Sequence, residues 1–115
     1  MTARRRVSLP GHGAIELATG MVMMLAPAVL GFSAAGLIVS VALGASLMGM
    51  ALTLTGRHGS VLGWHRDFDT LFVVVAAGAA LWLSLAGQSR PALFIAALVV
   101  IQSTLNLATR YVAAG

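Results

Sequence analysis

Four long apolar stretches occupy almost all of this 115-residue chain. They cover about residues 14–32, 34–55, 68–86 and 91–112. Each is about 19–22 residues long, the length at which a helix crosses a hydrocarbon core roughly 30 Å thick. The connections between the stretches are short. The pattern therefore predicts an all-α integral membrane protein, a four-helix transmembrane bundle of two antiparallel hairpins.

Composition supports a membrane protein without a second domain. Hydrophobic residues make up 59% of the chain and charged residues only 9%, against about 25% charged in soluble domains. We expect residues 1–13 to form a basic cytoplasmic arm and residues 14–115 a four-span transmembrane domain. The connections leave no room for a soluble catalytic domain, and no cysteine is present to form disulfides or thiolate sites.

Arginine is distributed unevenly between the two predicted membrane faces. One face carries six of the seven arginines and the other carries only Arg90; the six are Arg4, Arg5, Arg6, Arg57, Arg66 and Arg110. Basic residues near the membrane are enriched on the cytoplasmic side. The sequence therefore predicts that both termini are cytoplasmic. It also predicts that these cations contact lipid headgroups. Nucleic acid is not an expected partner, because the sequence predicts no folded basic surface.

Five polar residues inside the predicted spans are the candidate site. Gln102, Asn106 and Arg110 recur every four residues, so they share one helix face. Ionisable groups in a span are costly and usually pair inside the bundle, so this face should point toward Glu16 or Asp69. Two uses remain open: a structural lock in which Arg110 pairs with a carboxylate, or a proton- or substrate-handling site around Glu16.

The histidine spacing does not predict a metal site, and no cofactor or catalytic residues are expected. His12, His58 and His65 all fall near the predicted cytoplasmic interface, and the last two are seven residues apart in a loop without a cysteine partner. Methionines cluster in the first two spans, where they are ordinary fillers of apolar gaps. The sequence shows no catalytic set of nucleophile, base and acid, so we do not expect an enzyme.

The second span carries two rows of small or slim residues. One row is Gly36, Ser40 and Gly44, and the other is Ala45, Gly49 and Thr53. Such spacing lets two helices approach closely in lipid. The rows predict either packing within the chain or a homo-oligomer face. In the first span, Pro27 predicts a kink one turn before it.

The segment from Gly20 to Phe32 reads G-M-V-M-M-L-A-P-A-V-L-G-F. It resembles the SPW-repeat membrane proteins of bacteria, whose repeat is a helical hairpin with Ser-Pro-Trp followed by Leu-Gly-Phe. The resemblance covers about residues 14–55. Ala26 and Ala28 replace the Ser and Trp, while Pro27 and the Leu-Gly-Phe remain. It implies a hairpin in a bacterial plasma (inner) membrane rather than an activity.

Two functions follow as expectations. The first is a non-enzymatic scaffold or accessory subunit that contacts the lipid bilayer, copies of itself or another membrane protein. The second is a small proton-coupled transporter. Small multidrug resistance transporters have a similar length and an essential Glu in the first span, which Glu16 would match. Their deep aromatic residues are sparse here, beyond Phe72, Trp82 and Phe94, and the one-sided arginines contrast with members that insert in both orientations.

Overall fold

Two helical hairpins lie side by side in the computed structural model, which describes residues 7–53 and 59–109, without the side chains of 59–63. Within those ranges the chain forms four helices: α1 (Leu9–Val29), α2 (Ala34–Leu52), α3 (Gly59–Leu85) and α4 (Ser89–Ala108). All four are long and apolar enough to cross a membrane, with Trp64–Leu85 as the spanning part of α3. The expected all-α, four-helix architecture is confirmed at this level.

Two helices begin earlier than the apolar pattern predicted. Helix α1 begins at Leu9 rather than near residue 14, because Ser8 caps it by accepting a hydrogen bond from the Gly11 N–H (3.2 Å) and Pro10 lies in its first turn. Helix α3 begins at Gly59, so most of the predicted loop 56–67 is helical. As a result, His12 and His65 lie on helices and not in an arm and a loop.

Helices α1 and α3 each end in a turn of the same type. Gly31 and Gly87 follow these helices with φ of 69° and 79°, a region that favours glycine. In each turn the glycine N–H donates to the carbonyl three residues back (3.3 and 3.1 Å). The N–H of the next residue, Phe32 or Gln88, donates to the carbonyl five residues back (3.0 and 2.8 Å). These paired bonds are Schellman motifs. Both hairpin turns lie at one end of the bundle, where Ser33 contacts Gln88 and Arg90 contacts the Leu30 carbonyl.

Helices α1 and α2 approach closely where Gly20 meets Gly44. A Cβ atom on Gly44 would lie 2.6 Å from the Gly20 carbonyl oxygen. Nearby, the Ser40 hydroxyl donates to the Met23 carbonyl (2.7 Å). Pro27, four residues after Met23, has no N–H to offer that carbonyl, so Ser40 supplies the missing donor. The first row of small residues in α2 therefore packs inside the chain.

The second row of α2 lies largely on the surface. Ala45 and Gly49 are exposed, and a Cβ atom on Gly49 would meet nothing within 4 Å. Thr53 is half-buried. A homo-oligomer face on this row stays a prediction.

Apolar side chains fill the interior of the bundle and also cover its outside. The core includes Met23, Leu47, Phe72, Leu83 and Ile95. Among the large hydrophobic residues that point outward, Val29 is 86% exposed and Leu85 is 80% exposed. A helix that is apolar all round suits a membrane span, in which the outer face meets lipid.

Candidate functional site

Two histidines and two carboxylates meet at the end of the bundle opposite the hairpin turns. His12 and Glu16 come from α1, His65 and Asp69 come from α3, and all four are buried. His12 Nε2 lies 2.9 Å from Glu16 Oε2 and 2.9 Å from Asp69 Oδ2. His65 Nε2 lies 3.1 Å from Glu16 Oε1 and 3.3 Å from Asp69 Oδ1. Each carboxylate thus contacts both imidazoles. We call these four residues the His/carboxylate cluster.

Helical periodicity builds the cluster from two identical spacings. In α1 the acid follows the histidine by four residues, and the same spacing recurs in α3. Side chains four residues apart lie one above the other on the same helix face. Since α1 and α3 belong to different hairpins, the cluster also joins the two hairpins.

A threonine fixes which nitrogen of His12 faces the carboxylates. His12 Nδ1 lies 2.6 Å from Thr109 Oγ1. That hydroxyl donates its single proton to the Leu105 carbonyl (2.6 Å), a group that can only accept. His12 Nδ1 must therefore be the donor to Thr109. The Nε2 atom is left to face Glu16 and Asp69.

The second histidine has the same arrangement on the other side. His65 Nδ1 lies 3.4 Å from Thr53 Oγ1, and that hydroxyl donates to the Met50 carbonyl (2.7 Å). Both imidazoles therefore present Nε2 to the cluster while an outer group holds Nδ1. Metal-binding histidines have this pattern, in which the partner of the second ring nitrogen sets the tautomer and the ring orientation.

Helix α4 adds two amides to the cluster. Gln102 Nε2 donates to Glu16 Oε2 (3.0 Å) and to Asn106 Oδ1 (2.9 Å). Asn106 Nδ2 donates to the backbone carbonyl of Asp69 (3.3 Å). Gln102 is fully buried. The polar face of α4 therefore contacts the Glu16 carboxylate and the backbone of Asp69.

The structure brings together four of the five predicted site residues: Glu16, Asp69, Gln102 and Asn106. Arg110 lies outside the described residues, as do Arg4–Arg6, Arg57 and His58, so its pairing with a carboxylate stays a prediction. Sequence reasoning missed His12 and His65, together with the threonines that orient them. The signal was present, because a histidine four residues before an acid occurs in two segments.

The geometry of the cluster fits a metal ion. One ligand atom from each of the four side chains can be chosen so that all lie within 4.8 Å of one another. A metal about 2.0–2.2 Å from its ligands separates neighbouring ligand atoms by roughly 2.8–3.1 Å in octahedral geometry and roughly 3.3–3.6 Å in tetrahedral geometry. The N···O distances of 2.9–3.3 Å in the cluster lie within these ranges, and they are also the lengths of hydrogen bonds and ion pairs. Two helices share this ligand set, so the spacing of His58 and His65 within one predicted loop does not reveal it.

Comparison with protein-family models, with curated proteins and with solved structures finds no match for this chain. The SPW-repeat resemblance stays a prediction.

Proposed function

We propose that this chain is a small bacterial plasma-membrane protein that holds one divalent transition-metal ion between α1 and α3. The convergence of two histidine Nε2 atoms and two carboxylates in a buried cluster carries the proposal. The four apolar helices support insertion into a membrane. The six-to-one distribution of arginine supports cytoplasmic termini. The cluster would then lie near the cytoplasmic face.

A divalent cation satisfies the charge balance of the cluster, as two imidazolium ions would. Glu16 and Asp69 are fully buried, and burying two like charges together is costly unless cations compensate them. Two neutral imidazoles with Nε2 turned inward offer lone pairs to a metal but no charge. A dication between the four side chains brings the net charge of the cluster to zero.

The donor atoms narrow the class of metal. The cluster offers two imidazole nitrogens and four carboxylate oxygens, and the chain contains no cysteine. Imidazole suits zinc, iron, nickel and copper, while carboxylate suits manganese, magnesium and calcium. The mixed set favours divalent first-row transition metals such as Zn²⁺, Fe²⁺, Co²⁺ and Mn²⁺ over Cu⁺ or Ca²⁺.

A structural lock is the second candidate, and it corresponds to the scaffold expected from sequence. The observation that favours it is the origin of the ligands in two different hairpins. In this role His12 and His65 act as imidazolium ions that pair with Glu16 and Asp69, without any metal. The lock and the metal site use the same side chains, so only a binding measurement separates them.

The transporter expected as an alternative used Glu16 as a carrier carboxylate. In the structure Glu16 contacts His12, His65 and Gln102, and it is fully buried. A carrier must exchange its contacts with water and substrate, whereas a ligand that three side chains hold is preorganised for one ion. The geometry therefore favours a fixed ligand.

The test is metal binding by the chelator-treated protein in detergent. We expect Zn²⁺ and Co²⁺ to bind at one ion per chain, and Asp69→Asn to lose that binding. Asp67→Asn is the matched control, because Asp67 is an exposed carboxylate two residues away on the same helix. Absence of stoichiometric binding would contradict the proposal, and so would equal losses in the two variants. Destabilisation by Asp69→Asn without any metal binding would support the structural lock.

A further inference from the structure

The buried amide of Gln102 has an orientation that its neighbours determine. Asn106 Nδ2 lies 3.3 Å from the Asp69 backbone carbonyl, which can only accept a hydrogen bond. The amide of Asn106 therefore turns its oxygen toward Gln102. Because that oxygen and the Glu16 carboxylate both accept, Gln102 must present its NH₂ group to both of them (2.9 and 3.0 Å). The amide of Gln102 cannot be reversed without breaking both contacts.

This orientation leaves the other end of the amide unsatisfied. Gln102 Oε1 is buried, and it has no hydrogen-bond partner among the residues that the structure describes. A buried acceptor left unpaired costs about 1–3 kcal/mol. The oxygen belongs to the same amide group as the nitrogen that contacts Glu16. It calls for a donor that the described residues do not supply.

On the basis of the proposed metal site, we infer that the bound ion carries a water molecule that donates a hydrogen bond to Gln102 Oε1. Buried waters satisfy polar groups of this kind and make about three hydrogen bonds each. A metal ion polarises the water it binds and makes it a stronger donor. The orphaned oxygen thus marks one coordination position that no protein side chain fills.

The consequence is a site that can exchange a ligand. Structural zinc sites are closed by four protein ligands, whereas catalytic sites keep one position for water or substrate. In this protein the open position would accept water, hydroxide or a small anion, with Gln102 as the residue that positions the exchangeable ligand. The metal would then be reactive, beyond joining α1 to α3.

The experiment uses the full chain in detergent, loaded with Co²⁺ alone, and records visible absorption during an azide titration. Four-coordinate Co²⁺ absorbs more strongly than five- or six-coordinate Co²⁺. We expect the wild type to show the weaker spectrum of more than four ligands, and to change saturably as azide replaces water. Gln102→Leu should shift the starting spectrum toward four-coordination. Thr104→Val, an exposed position on the same helix, should behave as the wild type does.

The outcomes separate this inference from the metal site itself. A wild-type protein that binds one Co²⁺ per chain with a four-coordinate, azide-insensitive spectrum would overturn the exchangeable position and leave the metal site standing. A wild-type spectrum and azide response in Gln102→Leu would overturn the role of Gln102. If Gln102→Leu does not fold, the wild-type azide titration still decides the first point. A protein that binds no Co²⁺ overturns both proposals.

Discussion

The two ends of the bundle join the same pair of hairpins in different ways. At the turn end, the Ser33 hydroxyl donates to Gln88 Oε1 (2.5 Å) and Arg90 Nη2 donates to the Leu30 carbonyl (2.7 Å), and these contacts are exposed. At the other end, the His/carboxylate cluster is fully buried. One end uses hydrogen bonds that water can replace, and the other uses ionisable groups that water does not reach.

The contrast shows that joining the hairpins does not require a buried cluster. Exposed polar contacts contribute about 0–1 kcal/mol each and cost little to make. Burying ionisable groups is expensive, and apolar residues of similar volume often stabilise a protein as well or better. The turn end demonstrates the inexpensive solution within the same molecule. The buried cluster therefore fits the proposed metal site, which a metal-binding measurement separates from a structural lock.

The largest expected effect comes from Glu16→Gln at the cluster end. Mutation of a residue that hydrogen-bonds a metal ligand lowers metal affinity by about 10–100-fold. Loss of the ligand itself should therefore weaken Zn²⁺ binding by more than about 100-fold. Leaving a buried partner uncompensated should also lower the free energy of unfolding by about 3–5 kcal/mol. Calorimetric titration and denaturant unfolding in detergent measure the two effects. An unchanged Zn²⁺ affinity would remove Glu16 from the ligand set.

Thr109→Val tests the hydrogen bond that orients His12 at the cluster end. The hydroxyl that accepts from His12 Nδ1 is lost while the shape is kept. We expect Zn²⁺ affinity to fall by about 10–100-fold. Thr104→Val removes an exposed hydroxyl from α4 and should leave affinity unchanged. Equal affinities in the two variants would mean that Thr109 does not orient the ligand.

The layer between the two ends supplies a reference that involves no polar cluster. Gly44→Ala places a Cβ atom against the Gly20 carbonyl and should cost about 1–3 kcal/mol of stability through overpacking. Gly49→Ala enters open space on the same helix and should be neutral or stabilising by up to about 1 kcal/mol. Thermal unfolding compares them. If Gly44→Ala proves neutral, α1 and α2 do not pack as closely as described.

The smallest effect is expected for Arg90→Gln at the turn end. Arg90 contacts the Leu30 carbonyl and lies 5.9 Å from the Phe32 ring centre in an exposed position. Its loss should cost less than about 1 kcal/mol and should leave metal affinity unchanged. The free energy of unfolding and the Zn²⁺ affinity of this variant are compared with those of Glu16→Gln at the cluster end. A large loss of Zn²⁺ affinity would show that the two ends are coupled.

The helix count and the hairpin turns were predictable because span length and turn glycines are local properties of the sequence. The starts of α1 and α3 were predicted too late, because polar first turns look like connections when only apolar residues mark a helix. His12 and His65 were assigned to an arm and a loop for that reason. Their spacing to Glu16 and Asp69 can be read from sequence.

Local sequence does not predict which helix faces meet, because that depends on how the two hairpins dock. The polar face of α4 was expected to point toward Glu16 or Asp69, since a polar stripe avoids lipid, and Gln102 contacts the Glu16 carboxylate. Nothing local to α1 or α3 indicates that their histidine faces oppose each other. The core that the two hairpins share includes Met23 and Leu47 from the first hairpin and Phe72 and Ile95 from the second.

X-ray absorption spectroscopy of the Zn²⁺-loaded protein tests the central claim most directly. We predict a first shell of nitrogen and oxygen at about 2.0–2.1 Å, with the outer scattering of two imidazole rings, falling to one ring in His65→Ala. Zinc without imidazole scattering, or two rings retained in His65→Ala, would contradict a metal site shared by His12 and His65.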